Sequence, residues 1–243
     1  MYFDYFKRKL LAKGAKTWIT CTLFFGALLL ALYINGISLE HPSVKELTGC
    51  ITVALSVCGL GYYTVMALLE QTQPHVYSWL IWTVVDGVAW YNQWTYHSGP
   101  GAWSTLVMTV LSGVISCIAG YQYATRASVQ RITTTDQWCL GGAAVSILLL
   151  LAFNSGPISI MAATVTDAFA FIPTLKKIWR KPDSEIPLNY ALNTLRQAIA
   201  LLAIASYNFV TMIFPVSLIL LNGLTVASIV VKGRHTVGPQ KVA

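Results

Sequence analysis

Three ionisable side chains stand where hydrocarbon is expected: Asp86, Asp167 and Arg196, each near the midpoint of an apolar run. A charge at the centre of a membrane helix costs about 2.5–3.5 kcal/mol on insertion scales, so three unpaired charges would cost on the order of 8–10 kcal/mol. That is comparable with the whole stability of a typical fold, about 5–15 kcal/mol. The three are therefore expected to face the protein interior, to pair, or to touch water. One arginine against two aspartates leaves a surplus carboxylate, the kind of group that proton coupling uses. The structural alternative is an Asp–Arg pair that fixes helix packing, with Asn, Ser and Thr as interhelical hydrogen-bonding groups.

The helix that carries Asp86 opens after Pro74, and its helical spacing puts Trp79, Trp82, Thr83, Asp86, Trp90 and Gln93 on one face. The opposite face, Leu80, Ile81, Val84, Val85 and Val88, reads as lipid-facing. Trp79, Trp82 and Trp90 suit stacking on a sugar ring or holding a cation. Trp94, Trp103, Trp138 and Trp179, near the ends of apolar runs, suit an interfacial belt. A second polar face recurs 110 positions later: Asn189, Asn193, Arg196 and Gln197, with Arg196 at the position equivalent to Asp86. The same offset pairs Thr64 with Thr174 and Ser112-Gly113 with Asn222-Gly223. Thr164, Asp167, Phe171 and Thr174 form a third polar and aromatic face. Pro173 and Pro215 interrupt helical hydrogen bonding inside their runs and read as hinges or as static kinks.

Enzyme chemistry finds little here. The four histidines, His41, His75, His97 and His235, lie in expected loops or the tail without metal-ligand spacing. No GxSxG, HExxH or glycine-rich phosphate loop occurs. The reading is of a protein without catalytic residues, metal or cofactor. Five cysteines, Cys21, Cys50, Cys58, Cys117 and Cys139, fall in or beside apolar runs and read as small buried hydrophobes.

The elements that hold these residues must cross a membrane. Of 243 residues, 56% are hydrophobic and only 10% charged, with a mean hydropathy of +0.61. Soluble chains are roughly a quarter charged. The formal charge of +7 comes from short loops and tails between apolar runs. That is an orientation signal rather than a nucleic-acid footprint. Eight spans are expected: residues 17–35, 48–69, 76–94, 102–122, 138–153, 157–178, 186–205 and a last one after Tyr207-Asn208 that ends at residue 231. With both termini cytoplasmic, 14 of the 16 Lys and Arg fall on that side, leaving Lys45 outside and Arg196 within a span. The first span is taken as uncleaved, because its apolar core is longer than a signal peptide's and no A-x-A site closes it.

The expected fold class is therefore all-α and polytopic. Residues 1–47 hold the cytoplasmic N-tail, an extra span and an outer loop, and residues 48–122 a first triple-helix bundle. Residues 123–155 supply a cytoplasmic loop and a linker helix, 156–231 a second triple-helix bundle, and 232–243 a basic cytoplasmic tail. A three-helix unit joined directly to its copy would be inverted. The linker restores orientation, giving a 1+3+1+3 arrangement with parallel repeats.

The segment 167–193, DAFAFIPTLKKIWRKPDSEIPLNYALN, has a proline late in one helix, a basic turn, then Ser-Glu opening the next. With two triple-helix bundles around a linker, it resembles the PQ-loop superfamily that includes the SWEET (MtN3) transporters, over roughly residues 48–231. The family's Pro-Gln stands here as Pro173-Thr174 and Tyr63-Thr64, and the N-terminal span is additional. Ser112 and Asn222 are similar to the pocket asparagines of SWEETs. The resemblance implies a midplane cavity and a small polar solute (sugar, polyol or amine) moved by rocking of the bundles, with protons as a further partner. The candidate site is Trp79, Trp82, Asp86, Trp90, Ser112, Asp167, Asn189, Asn193, Arg196 and Asn222. A plasma (inner) membrane location and a homo-oligomer complete the expectation. The competing reading is a non-transporting scaffold or receptor in which the ionic groups are structural.

Overall fold

A computed structural model describes residues 43–68, 74–125, 133–153, 155–180 and 187–236, and among these every regular element is helical. There are seven such helices. α1 runs Val44–Leu68, α2 Val76–Thr95, α3 Gly101–Thr125, α4 Thr134–Phe153, α5 Gly156–Arg180, α6 Pro187–Leu202 and α7 Phe209–Thr236. They match the second to eighth expected spans in order. The first expected span, residues 17–35, lies outside the described residues.

Four helical stretches are long and apolar enough to cross a membrane: Val44–Leu68, Gly101–Thr125, Thr134–Ala152 and Phe209–Lys232. The apolar part of α5, Gly156–Ile172, is shorter. The described helices thus give an all-helical chain compatible with an integral membrane protein, with four clear spans rather than eight. α2 carries Asp86 among many amide and aromatic side chains, which lower its apolarity, and α6 is the shortest of the helices at 16 residues.

α1 and α4 start four residues earlier than their apolar runs suggest, because polar capping turns precede them. Ser43 and Glu46 form a reciprocal capping box that opens α1. Thr133 and Asp136 do the same for α4. α2 ends in a Schellman turn: His97 N–H donates to the Trp94 carbonyl at 3.1 Å and Ser98 N–H to that of Gln93 at 2.8 Å. His97 takes the left-handed conformation this requires, with φ 59°.

α3 lies between α1 and α2, and α7 lies between α5 and α6. α1 also packs on α6, and α2 on α5. α4 leans on α5 and α2. The core joins Ile81, Val85, Val88 and Ala89 of α2 to Ile160 and Ala163 of α5 and to Val210, Phe214 and Leu218 of α7. This corrects the expected lipid face of α2. Ile81, Val85 and Val88 are buried because α2 is covered by neighbours on several sides, whereas Leu80 remains exposed.

The α2–α3 and α6–α7 connections meet at one end of the molecule. Ala205 N–H donates to the Ser98 carbonyl at 2.8 Å and Gly101 N–H to that of Ala203 at 3.1 Å. Lys45 Nζ donates to the Ala205 carbonyl at 3.0 Å, and Asn208 Nδ2 to that of Tyr96 at 3.3 Å. Gly99, at φ 62°, admits this seam, since a Cβ there would stand 2.7 Å from Ala205 Cβ. The two connections are stitched together.

Candidate functional site

The ionic residues meet in the interior. Asp86, Asp167 and Arg196 are all buried, from α2, α5 and α6. Asp86 has Asp167 and Arg196 as charged neighbours, and the Ser112 side chain of α3 lies beside it. Arg196 is not in direct contact with either carboxylate: among the described residues no ion pair within 4.0 Å joins it to an acid. Its Nη1 donates to Ser56 Oγ of α1 at 2.9 Å, and Nε and Nη2 donate to Asn193 Oδ1. Asn193 Nδ2 donates in turn to Asn222 Oδ1 of α7 at 3.1 Å. Asn222 closes the chain by donating to the Leu218 carbonyl of its own helix.

Six helices therefore contribute one side chain or more. The asymmetry of the bonding is informative. Three of the five Arg196 donors go to neutral acceptors, which fix its place without neutralising it. Asp167 stands differently: its Oδ2 is buried with no hydrogen-bond partner, as is Thr164 Oγ1 one turn earlier on α5.

Two further polar sets lie toward the stitched end. Asn92 of α2 and Ser159 of α5 bond reciprocally between the two helices at 3.0 and 3.2 Å. Trp90 Nε1, Gln93 Oε1 and Ser98 Oγ are buried without partners. Toward the start of α2, Trp79 packs edge-on to Trp82 at 5.1 Å and against Tyr63 of α1 at 5.0 Å. Seven residues of helix put Trp79 roughly 10 Å from Asp86 along the axis. The aromatic wall thus borders the ionic centre rather than enclosing it.

Of the expected site residues, Asp86, Ser112, Asp167, Asn193, Arg196 and Asn222 come together. Trp79 and Trp82 form the flanking cluster, and Trp90 is half-buried one turn beyond Asp86. Asn189 lies in the first turn of α6 and Pro173 within α5, and the side chains of both fall outside the described set. Pro215 is inside α7. Sequence reasoning missed Ser56, whose hydroxyl is an acceptor for the guanidinium. The 110-residue offset contained a signal, since it pairs Ser56 with Thr166, the neighbour of Asp167. Also missed was the π-helical turn Val57–Gly61 that follows Ser56, a device frequent at functional sites.

Among the described residues no group of three His, Cys, Asp or Glu is placed to hold a metal ion. An apolar groove of about 570 Å³ lies elsewhere, between α2 and α4, lined by Thr83, Gly87, Tyr91, Ile147 and Leu151 among others. No protein family, curated protein or solved structure matches the chain.

Proposed function

We propose that the protein is a membrane transporter of a small polar solute, a sugar, polyol or amine, which crosses by rocking of two triple-helix bundles. The observation that carries this reading is the convergence of Asp86, Ser112 and Ser56 from one half with Asp167, Arg196 and Asn222 from the other. Intramembrane ionisable groups of this kind mark substrate or ion pathways.

The packing order adds support for a PQ-loop-like architecture with parallel repeats. Exchanging α1, α2, α3 with α5, α6, α7 leaves the pattern of neighbours unchanged: the third helix stays between the first two, and each first helix stays against the other half's second. On that reading α4 is the linker, and residues 17–35 supply the additional span. The positive-inside rule puts both termini in the cytoplasm and the stitched 96–101 and 203–208 connections outside. Protons are a further partner of the carboxylates.

A second reading, a scaffold or receptor, is favoured by the three bonds of Arg196 to neutral side chains, which suit a structural role. Flux decides between them. Purified protein in proteoliposomes is offered labelled glucose, sorbitol and ethanolamine. Transport predicts uptake of at least one, abolished in Asp86→Asn while the variant stays folded. Absence of flux in wild type, with loss of folded protein in Asp86→Asn and Arg196→Ala, supports the scaffold.

A further inference from the structure

The polar interior described above is unevenly provisioned with charge. Two carboxylates and one guanidinium make a formal net charge of −1. The guanidinium, however, spends its described hydrogen bonds on Asn193 and Ser56 and reaches Asp86 only at longer range. Asp167 has less: among the described residues its Oδ2 has no donor. Buried carboxylate oxygens are ordinarily satisfied, and one left bare in a membrane interior is costly.

Thr164 gives an independent indication. Its hydroxyl is nine-tenths buried, without a partner, and shares the face of α5 that carries Asp167. Many Ser and Thr hydroxyls in the helices turn back onto a carbonyl of their own helix, as Thr166 does onto Ala162 and Thr225 onto Leu221. Thr164 does not. Asp86 with Ser112 beside it, and Asp167 with Thr164 one turn earlier on its helix, thus bring oxygen acceptors together, and among the described residues no donor reaches Asp167 Oδ2 or Thr164 Oγ1.

The geometry points to a binding site for a small organic ammonium group between Asp86 and Asp167, with Ser112 and Thr164 as accessory oxygens. This rests on the transport reading for its purpose and narrows the solute from sugar, polyol or amine to an amine. An ammonium supplies what the site lacks: three N–H donors in a compact cation, matched to carboxylate acceptors on two different helices. Because Asp86 and Asp167 belong to different halves, an ammonium bridging them ties its own occupancy to how the halves sit.

Binding is measured apart from flux. Purified full-length protein is titrated with ethanolamine hydrochloride, sodium chloride and sorbitol at constant ionic strength, following thermal stability and calorimetric heat. The wild type should bind and be stabilised by ethanolamine but by neither sodium nor sorbitol. Asp167→Asn should weaken ethanolamine binding about tenfold or more, the scale of a lost charge-assisted hydrogen bond. Thr164→Val, a near-isosteric change that keeps both carboxylates, should weaken it by less. Sorbitol binding in the absence of ethanolamine binding overturns the site while leaving transport intact. Ethanolamine binding undiminished in both variants also overturns it, as does equal stabilisation by sodium. Ethanolamine binding that depends on Asp167, without flux of any solute, upholds the site and removes transport.

Discussion

At the scale of single residues, the structure separates groups that fix the interior from groups left open. Asn193 fixes it: its Oδ1 accepts two of the Arg196 donors, and its amide reaches Asn222. Asn193→Ala strands a buried cation, so the expected loss is about 1.5–3 kcal/mol, the cost of hydrogen bonds to a charged group. Chemical denaturation in detergent checks this. An unchanged midpoint would mean that water replaces the amide. His97 offers the opposite sign. Its left-handed φ of 59° is the position where helix-ending turns prefer glycine, so His97→Gly should raise stability by about 1 kcal/mol. A fall would show that the imidazole makes a contact of greater worth. The ionic residues were legible from composition alone, since a charge inside an apolar run stands out. Their bonding was not. An Asp–Arg pair was one of the readings, but a guanidinium has five donors, and Ser56 and Asn193 take three of them. Periodicity along one helix cannot show which neighbouring helix supplies an acceptor.

At the scale of helices, close approach rather than hydropathy decides which substitutions are tolerated. α4 meets α5 at Gly142, where an added Cβ would lie 2.6 Å from Thr166 Oγ1 and 3.2 Å from its Cγ2. Thr166 is held by its bond to the Ala162 carbonyl and cannot turn freely. Gly142→Ala should destabilise by about 1–3 kcal/mol through overpacking. Gly59, in the π-helical turn of α1, has open space around it, and Gly59→Ala should be neutral or stabilising by up to about 1 kcal/mol. Thermal melts of the pair check the contrast, and equal shifts would contradict the packing described. The order of helices was readable because apolar runs and turns alternate cleanly along the chain. The starts of α1 and α4 were misjudged by a few residues, since capping turns such as Thr133–Asp136 are polar and read as loop. The buried face of α2 was misjudged for another reason: Ile81, Val85 and Val88 look the same whether they meet lipid or α5 and α7, and only the packing tells them apart.

At the scale of the whole molecule, the stitched connections give the proposed rocking a testable handle. Ser98 lies in the α2–α3 connection and Ala205 in the α6–α7 connection, and the two are joined by a 2.8 Å backbone bond. In a background without the native cysteines, Ser98→Cys with Ala205→Cys should oxidise readily, abolish flux and recover it on reduction. Undiminished flux in the oxidised protein would mean that this end need not open. The repeat proposed here is faint in the sequence, because apolar positions align by chance, and polar pairs such as Asp86/Arg196, Thr64/Thr174 and Ser112/Asn222 carry it. The account depends most on the ionic interior being wet. Ser112, buried beside Asp86, tests it: Ser112→Cys in the cysteine-free background, in proteoliposomes, is exposed to a water-soluble methanethiosulfonate reagent beside Ile160→Cys from the apolar core. A chamber reached by water predicts that the cysteine at 112 is modified while that at 160 is not. Equal inertness of the two would contradict it.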